Sequence, residues 1–134
     1  MIPTDLLIGP AIVMAIILSL IEVYFVARDE AGMRWFAHAM HAIPFMFIFT
    51  FVAMNIGWAF GLIGIEGNFM YDLGARILIG IIAMVKIKAA ASITGKGGVG
   101  ESNLHVFIIG VLIVASPYIW VFALERFLGP LIPF

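Results

Sequence analysis

Residues 104–124 read LHVFIIGVLIVASPYIWVFAL, a stretch without one Asp, Glu, Lys or Arg. A helix needs roughly 20 mostly apolar residues to cross the hydrocarbon core of a bilayer, and this stretch supplies them. Three others match it: about Asp5 to Ala27, about Trp35 to Leu62 and about Asp72 to Ile93. None shows the ten-residue alternation of a membrane barrel strand. The expectation is therefore an all-α fold: an integral membrane four-helix bundle of up-down, antiparallel helices, with residues 1–134 as a single transmembrane domain and spans at about 5–27, 35–62, 72–93 and 104–124.

The whole composition agrees. Of 134 residues, 64% are hydrophobic and 11% charged, and the mean hydropathy is +1.19. Soluble domains are nearer half apolar and a quarter charged. A net charge of −1 argues against nucleic acid as a partner, since phosphate binding requires a basic surface. With no cysteine, the chain forms no disulfide, thiolate metal site or Cys-ligated iron–sulfur cluster. The first cation is Arg28, after the first apolar stretch. A secretory signal begins with positive charge, so the first stretch is expected to be a retained helix.

The connections have turn chemistry. Arg28-Asp29-Glu30-Ala31-Gly32 is charged, Gly64-Ile65-Glu66-Gly67-Asn68 is short and polar, and residues 94–103 contain four glycines. Short connections favour antiparallel neighbours. The tail after Gly129 holds Pro130 and Pro133 and is not expected to continue a helix. Arg28, Arg34, Lys86, Lys88 and Lys96 fall at the end of the molecule holding the first and third connections; Arg76 and Arg126 fall at the other. Positive charge marks the cytoplasmic side, so both termini are expected outside the cytoplasm.

Antiparallel order brings six scattered polar residues to one depth near the cytoplasmic end: Glu22, His38, His41, Lys86, Lys88 and His105. A charge in hydrocarbon costs at least a few kcal/mol and so faces a partner or water. Glu22 is then the natural counter-charge for Lys86 or Lys88, or for His38 or His41, as a structural pair or an ion path. His38 and His41 share a helix face; with His105 they are the candidate metal ligands. A structural role for them is the stronger reading, because no second histidine pair or carboxylate pair accompanies them, and no cofactor is expected. The loop Gly95-Lys96-Gly97-Gly98-Val99-Gly100-Glu101-Ser102 superficially matches a phosphate-binding loop, but Glu101 replaces its lysine and no strand precedes it. Nucleotide is therefore excluded as a partner. Ala53, Gly57 and Gly61 form a small-residue ridge at i, i+4 spacing that admits a close helix neighbour. Pro44 and Pro117 lie within spans, where proline kinks a helix, and Asn55 is expected to be a buried hydrogen-bonder.

Two stretches carry a resemblance: Glu22-Val23-Tyr24-Phe25-x-x-Arg28-Asp29-Glu30 and His38-x-x-His41-Ala42-Ile43-Pro44. With the size and four spans, they resemble the small accessory membrane subunits of archaeal multi-subunit enzymes such as ammonia monooxygenase. The matched stretches cover under a fifth of the chain. The resemblance implies a non-catalytic subunit beside copper-bearing partners and supplies no catalytic residue. Independently of it, the missing nucleophile–base pairs and the abundant apolar surface point to a structural or accessory subunit whose partners are the lipid bilayer and other membrane subunits. The alternative is a small homo-oligomeric transporter, channel or metal-binding protein using the polar cluster.

Overall fold

The computed structural model describes residues 5–29, 34–65, 67–94 and 102–132. Among them the fold is all-helical, without strands. Helix α1 is Ile8–Asp29, α2 is Arg34–Met54, α3 is Ile56–Leu62, α4 is Phe69–Thr94 and α5 is Asn103–Ile119. A π-helical turn, Trp120–Leu124, continues α5 into a short α6, Glu125–Leu128, and a 3₁₀ turn, Gly129–Leu131. Among the described residues, three helical stretches are long and apolar enough to cross a membrane: Ile8–Asp29, Trp35–Met54 and Asn103–Leu131. At 26 residues α4 is also long, but it carries Asp72, Arg76, Lys86 and Lys88 and stands apart from those three.

Each long helix buries one seam. In α1 it is Ala11, Ala15, Leu18, Glu22 and Val26; in α2 it is Ala39, Ala42, Met46, Thr50 and Ala53. In α4 it is Arg76, Gly80, Ala83 and Ile87; in α5 it is His105, Ile109, Ile113, Ser116 and Trp120. Steps of three and four keep such residues on one helix face. By these seams α1 packs on α2 and α5, and α4 packs on α2 and α5. Many seam residues are alanine or glycine, while bulky side chains such as Leu20, Tyr24, Val85 and Phe122 point outward. In lipid nothing hydrophobic drives helices together, so close backbone approach and hydrogen bonds must hold them.

The helix ends have identifiable causes. Ser102 caps α5, its Oγ accepting the His105 backbone N–H at 3.2 Å. Asn68 caps α4, its Oδ1 accepting the N–H groups of Met70 and Tyr71 at 3.0 and 3.3 Å. Gly64 and Gly67 turn the chain before α4 at φ +71° and +82°, which glycine adopts without a Cβ clash. Within α5, Pro117 lacks the N–H that would reach the Ile113 carbonyl. The Ser116 hydroxyl donates to that carbonyl instead, at 2.7 Å, and the helix continues.

Three expectations change. The stretch 35–62 is not one helix but breaks at Asn55, whose φ −108° and ψ 15° depart from helical values of about −63° and −42°. Asn55 is buried, as expected. Its Oδ1 accepts the Leu7 N–H at 2.6 Å, and its Nδ2 donates to the Phe51 carbonyl at 2.9 Å and the Leu7 carbonyl at 3.4 Å. The break thus fastens the entry to α1 onto the end of α2. Secondly, helical structure runs past 124 to Leu131, because Pro130 sits in the first turn of the closing 3₁₀ segment, where a missing N–H costs nothing. Thirdly, Gly61 is not at a close crossing: a Cβ there would meet nothing within 4 Å. Ala53 is buried, but the break after it interrupts the ridge, leaving Gly57 half-buried and Gly61 exposed.

The close crossing lies between α4 and α5. A Cβ on Gly80 would come within 2.5 Å of Val114 Cγ2 and 3.1 Å of the Gly110 carbonyl oxygen. Val114 is β-branched and stiff, and a backbone carbonyl does not swing aside. Gly80→Leu should therefore cost about 1–3 kcal/mol through overpacking. Gly61→Leu should change stability by less than about 0.5 kcal/mol. Thermal melts of both variants in one detergent check this, and equal melting curves would reject the assigned crossing.

Candidate functional site

Where α1 ends and α5 begins, a histidine lies between two carboxylates. His105 is the third residue of α5, and the Ser102 cap directs its side chain back onto α1. Its Nε2 is 2.8 Å from Glu22 Oε2, and its Nδ1 is 3.1 Å from Asp29 Oδ2. The side chains of His105 and Glu22 are 1% and 0% exposed, whereas that of Asp29 is 19% exposed. Phe25 stacks on the imidazole with ring centroids 4.9 Å apart. The Ser102 backbone N–H donates to Asp29 Oδ2 at 3.3 Å, so Asp29 lies at the positive end of the α5 dipole, where a carboxylate is favoured. The other Glu22 oxygen, Oε1, is buried without a hydrogen-bond partner.

A second ionic site occupies the opposite end. Arg76 on α4 is fully buried and grips Asp72 one turn earlier, through Nε to Oδ2 and Nη2 to Oδ1, both at 2.7 Å. Its Nη1 donates to the Ala53 carbonyl, one of the carbonyls freed where α2 breaks. Tyr118 of α5 offers its ring face to the guanidinium, 6.0 Å from its centroid. The fork of the guanidinium thus joins α4 to α2 and neutralises Asp72 within the helix.

The co-location of Glu22 and His105 follows from the antiparallel depth argument, but the lysine partnership does not form. Lys86 and Lys88 are exposed, and Lys88 Nζ donates to Asn103 Oδ1. The reason is rotational: α4 packs on α2 and α5 rather than on α1, so the Glu22 face meets α5. His41 is exposed and uses Nδ1 on its own Ala37 carbonyl at 2.7 Å; the His38 side chain lies outside those described. Among the described residues no group of three or more histidines and carboxylates could hold a metal ion. Both His105 nitrogens lie within hydrogen-bond distance of carboxylate oxygens. Of the glycine-rich loop only Ser102 lies among residues with described side chains, and it serves as the α5 cap.

Three contributors escaped the sequence reading. Asp29 was assigned to a charged turn, Arg76 was counted with the cations of the outer end and Ser102 was assigned to the loop. The Asp72–Arg76 spacing of four was the available signal, since such a pair shares one helix face.

If Arg76 and Asp72 act as a unit, removing one strands the other. Arg76→Met should destabilise by about 3–5 kcal/mol, whereas the double variant Asp72→Leu/Arg76→Met should recover most of that loss. A double-mutant cycle by thermal melts measures the coupling, and strictly additive effects would show that the two side chains act separately.

No protein-family model, curated protein or solved structure matches this chain, and the chemistry of its site rests on the geometry above.

Proposed function

We propose that this chain is a non-catalytic structural subunit of a multi-subunit membrane complex. In this reading it is an up-down four-helix bundle that crosses the bilayer four times, with both termini outside the cytoplasm. The observation that carries the proposal is the division of side chains. The buried ionisable groups Glu22, His105 and Arg76 are spent on joining one helix to another, while bulky apolar and aromatic groups are turned outward. Such a surface suits lipid and the helices of other subunits. The fourth crossing would be α4: the internal Asp72–Arg76 pair lowers its charge cost, and Lys86 and Lys88 lie within reach of headgroups by snorkelling. The stretches from Glu22 to Glu30 and from His38 to Pro44 support a more specific assignment, to an accessory subunit of an archaeal ammonia monooxygenase beside its copper-bearing subunits.

Mild detergent extracts of the native membrane, run on native gels, test the assignment. The chain should co-migrate with unrelated membrane polypeptides; a complex containing only copies of this chain would favour a homo-oligomeric transporter or channel. Topology is tested separately. Cysteines introduced at Thr4 and Gly98 should react with impermeant reagents from opposite faces of sealed vesicles, as the five-to-two distribution of cations requires. Reaction from the same face would contradict the four-crossing arrangement.

A further inference from the structure

The Glu22–His105–Asp29 chain implies a count of protons. An ionised carboxylate only accepts hydrogen bonds, and a neutral imidazole carries one N–H. Here both ring nitrogens lie within hydrogen-bond distance of carboxylate oxygens, at 2.8 and 3.1 Å. Each contact needs a proton between its heavy atoms, so two contacts require two protons. A neutral ring supplies one. The second makes the ring an imidazolium or makes one carboxylate a carboxylic acid, and either form leaves the three groups with a net charge of −1. Without it, one contact sets lone pair against lone pair and must open.

Burial gives this proton a direction. Asp29 is partly exposed at the end of α1, the ring is buried behind it, and Glu22 is buried deepest. Glu22 Oε1, fully enclosed and unpartnered, is the atom least able to carry charge without a proton nearby. From the geometry we infer that Glu22, His105 and Asp29 form a proton-uptake site, loaded from the membrane face at which α1 ends and α5 begins. A proton enters at Asp29 Oδ2 and passes to Nδ1; Nε2 then releases its own proton to Glu22 Oε2. Glu22 ends as a carboxylic acid, Asp29 as a carboxylate and the ring as the Nδ1–H tautomer. One proton has been gained and no other bond has changed. The ligand is the proton itself, and this inference stands whether or not the chain is a subunit of a larger complex.

Among the described side chains, the other charged groups near this end lie elsewhere. On α1, Arg28 is exposed. On α2, His41 is exposed and bonded to Ala37, and the His38 side chain is outside those described. On α4, Lys86 is exposed and Lys88 reaches Asn103 rather than His105. On α5, Ser102 bonds both Asp29 and the His105 backbone.

Infrared difference spectra of the full chain in lipid vesicles, together with ¹⁵N-histidine magnetic resonance, test the inference. While the helices remain folded, the wild-type chain should show either a deuterium-sensitive carbonyl band from a buried carboxylic acid or a histidine ring protonated at both nitrogens. In Glu22→Gln that signal should vanish, because the side-chain amide donates to Nε2 without an added proton. In Asp29→Asn hydrogen–deuterium exchange at the site should slow at least tenfold. A carboxylic-acid band or doubly protonated ring that persists unchanged in Glu22→Gln would overturn the assignment. Should the variants fail to fold, the wild-type chain decides alone: absence of both signatures at a pH where it is folded overturns the proposal.

Discussion

A charge removed from water must find its partner on another helix or its own; in hydrocarbon the alternative costs several kcal/mol. The interior of this protein follows from that constraint. Glu22, Arg76 and His105 are all essentially unexposed, and each is joined to a group of opposite or shared charge. Because the pairings cross between helices, they also fix which helices are neighbours: Glu22 and Asp29 hold α5 against α1, and Arg76 holds α4 against the end of α2. Van der Waals packing at small residues such as Gly80 and Gly110 then brings the backbones close enough for the seams to be shared.

The same constraint explains the position of the helix break. Ending α2 at Met54 frees backbone carbonyls, which would be costly inside an apolar medium. Arg76 takes the carbonyl of Ala53, and the Asn55 side chain adds a second donor to the Phe51 carbonyl, which its own backbone N–H already reaches, while also binding both backbone groups of Leu7. The interruption is thus satisfied from three directions, by α4, by its own side chain and by the segment entering α1. Pro117 follows the same rule on a smaller scale, its lost backbone bond replaced by the neighbouring Ser116 hydroxyl.

Depth along the helices was legible in the sequence, and rotation about them was not. Hydropathy and antiparallel order bring Glu22 and His105 to one level, and they prove to be bonded. The same argument brings Lys86 and Lys88 to that level but says nothing about which face of the assembly they occupy, and they lie outside. Arg76 entered the sequence reading only as one of the two cations at the outer end, although its partner Asp72 stood four residues earlier. The ridge of Ala53, Gly57 and Gly61 identified a surface able to admit a neighbour without identifying one, while single glycines at 80 and 110 carried no repeat to announce them. The break at Asn55 depends on capture of Leu7, some 48 residues away, which no local pattern could reveal.

The placement of the two ionic sites bears on what the molecule is built to do. Helix α1 is fastened at its entry by Asn55 and at its exit by His105, and its seam between them is filled by alanine, leucine and methionine. A conduit through the middle would need polar groups along that seam. Among the described residues, the buried hydroxyls Ser19 on α1 and Thr50 on α2 stand singly. Asp72 and Arg76 are paired at one end, and Glu22, His105 and Asp29 stand together at the other, where Asp29 keeps partial access to water and Glu22 does not. That distribution fits a site that takes a proton up and returns it at the same face, coupling the fit of α5 against α1 to protonation.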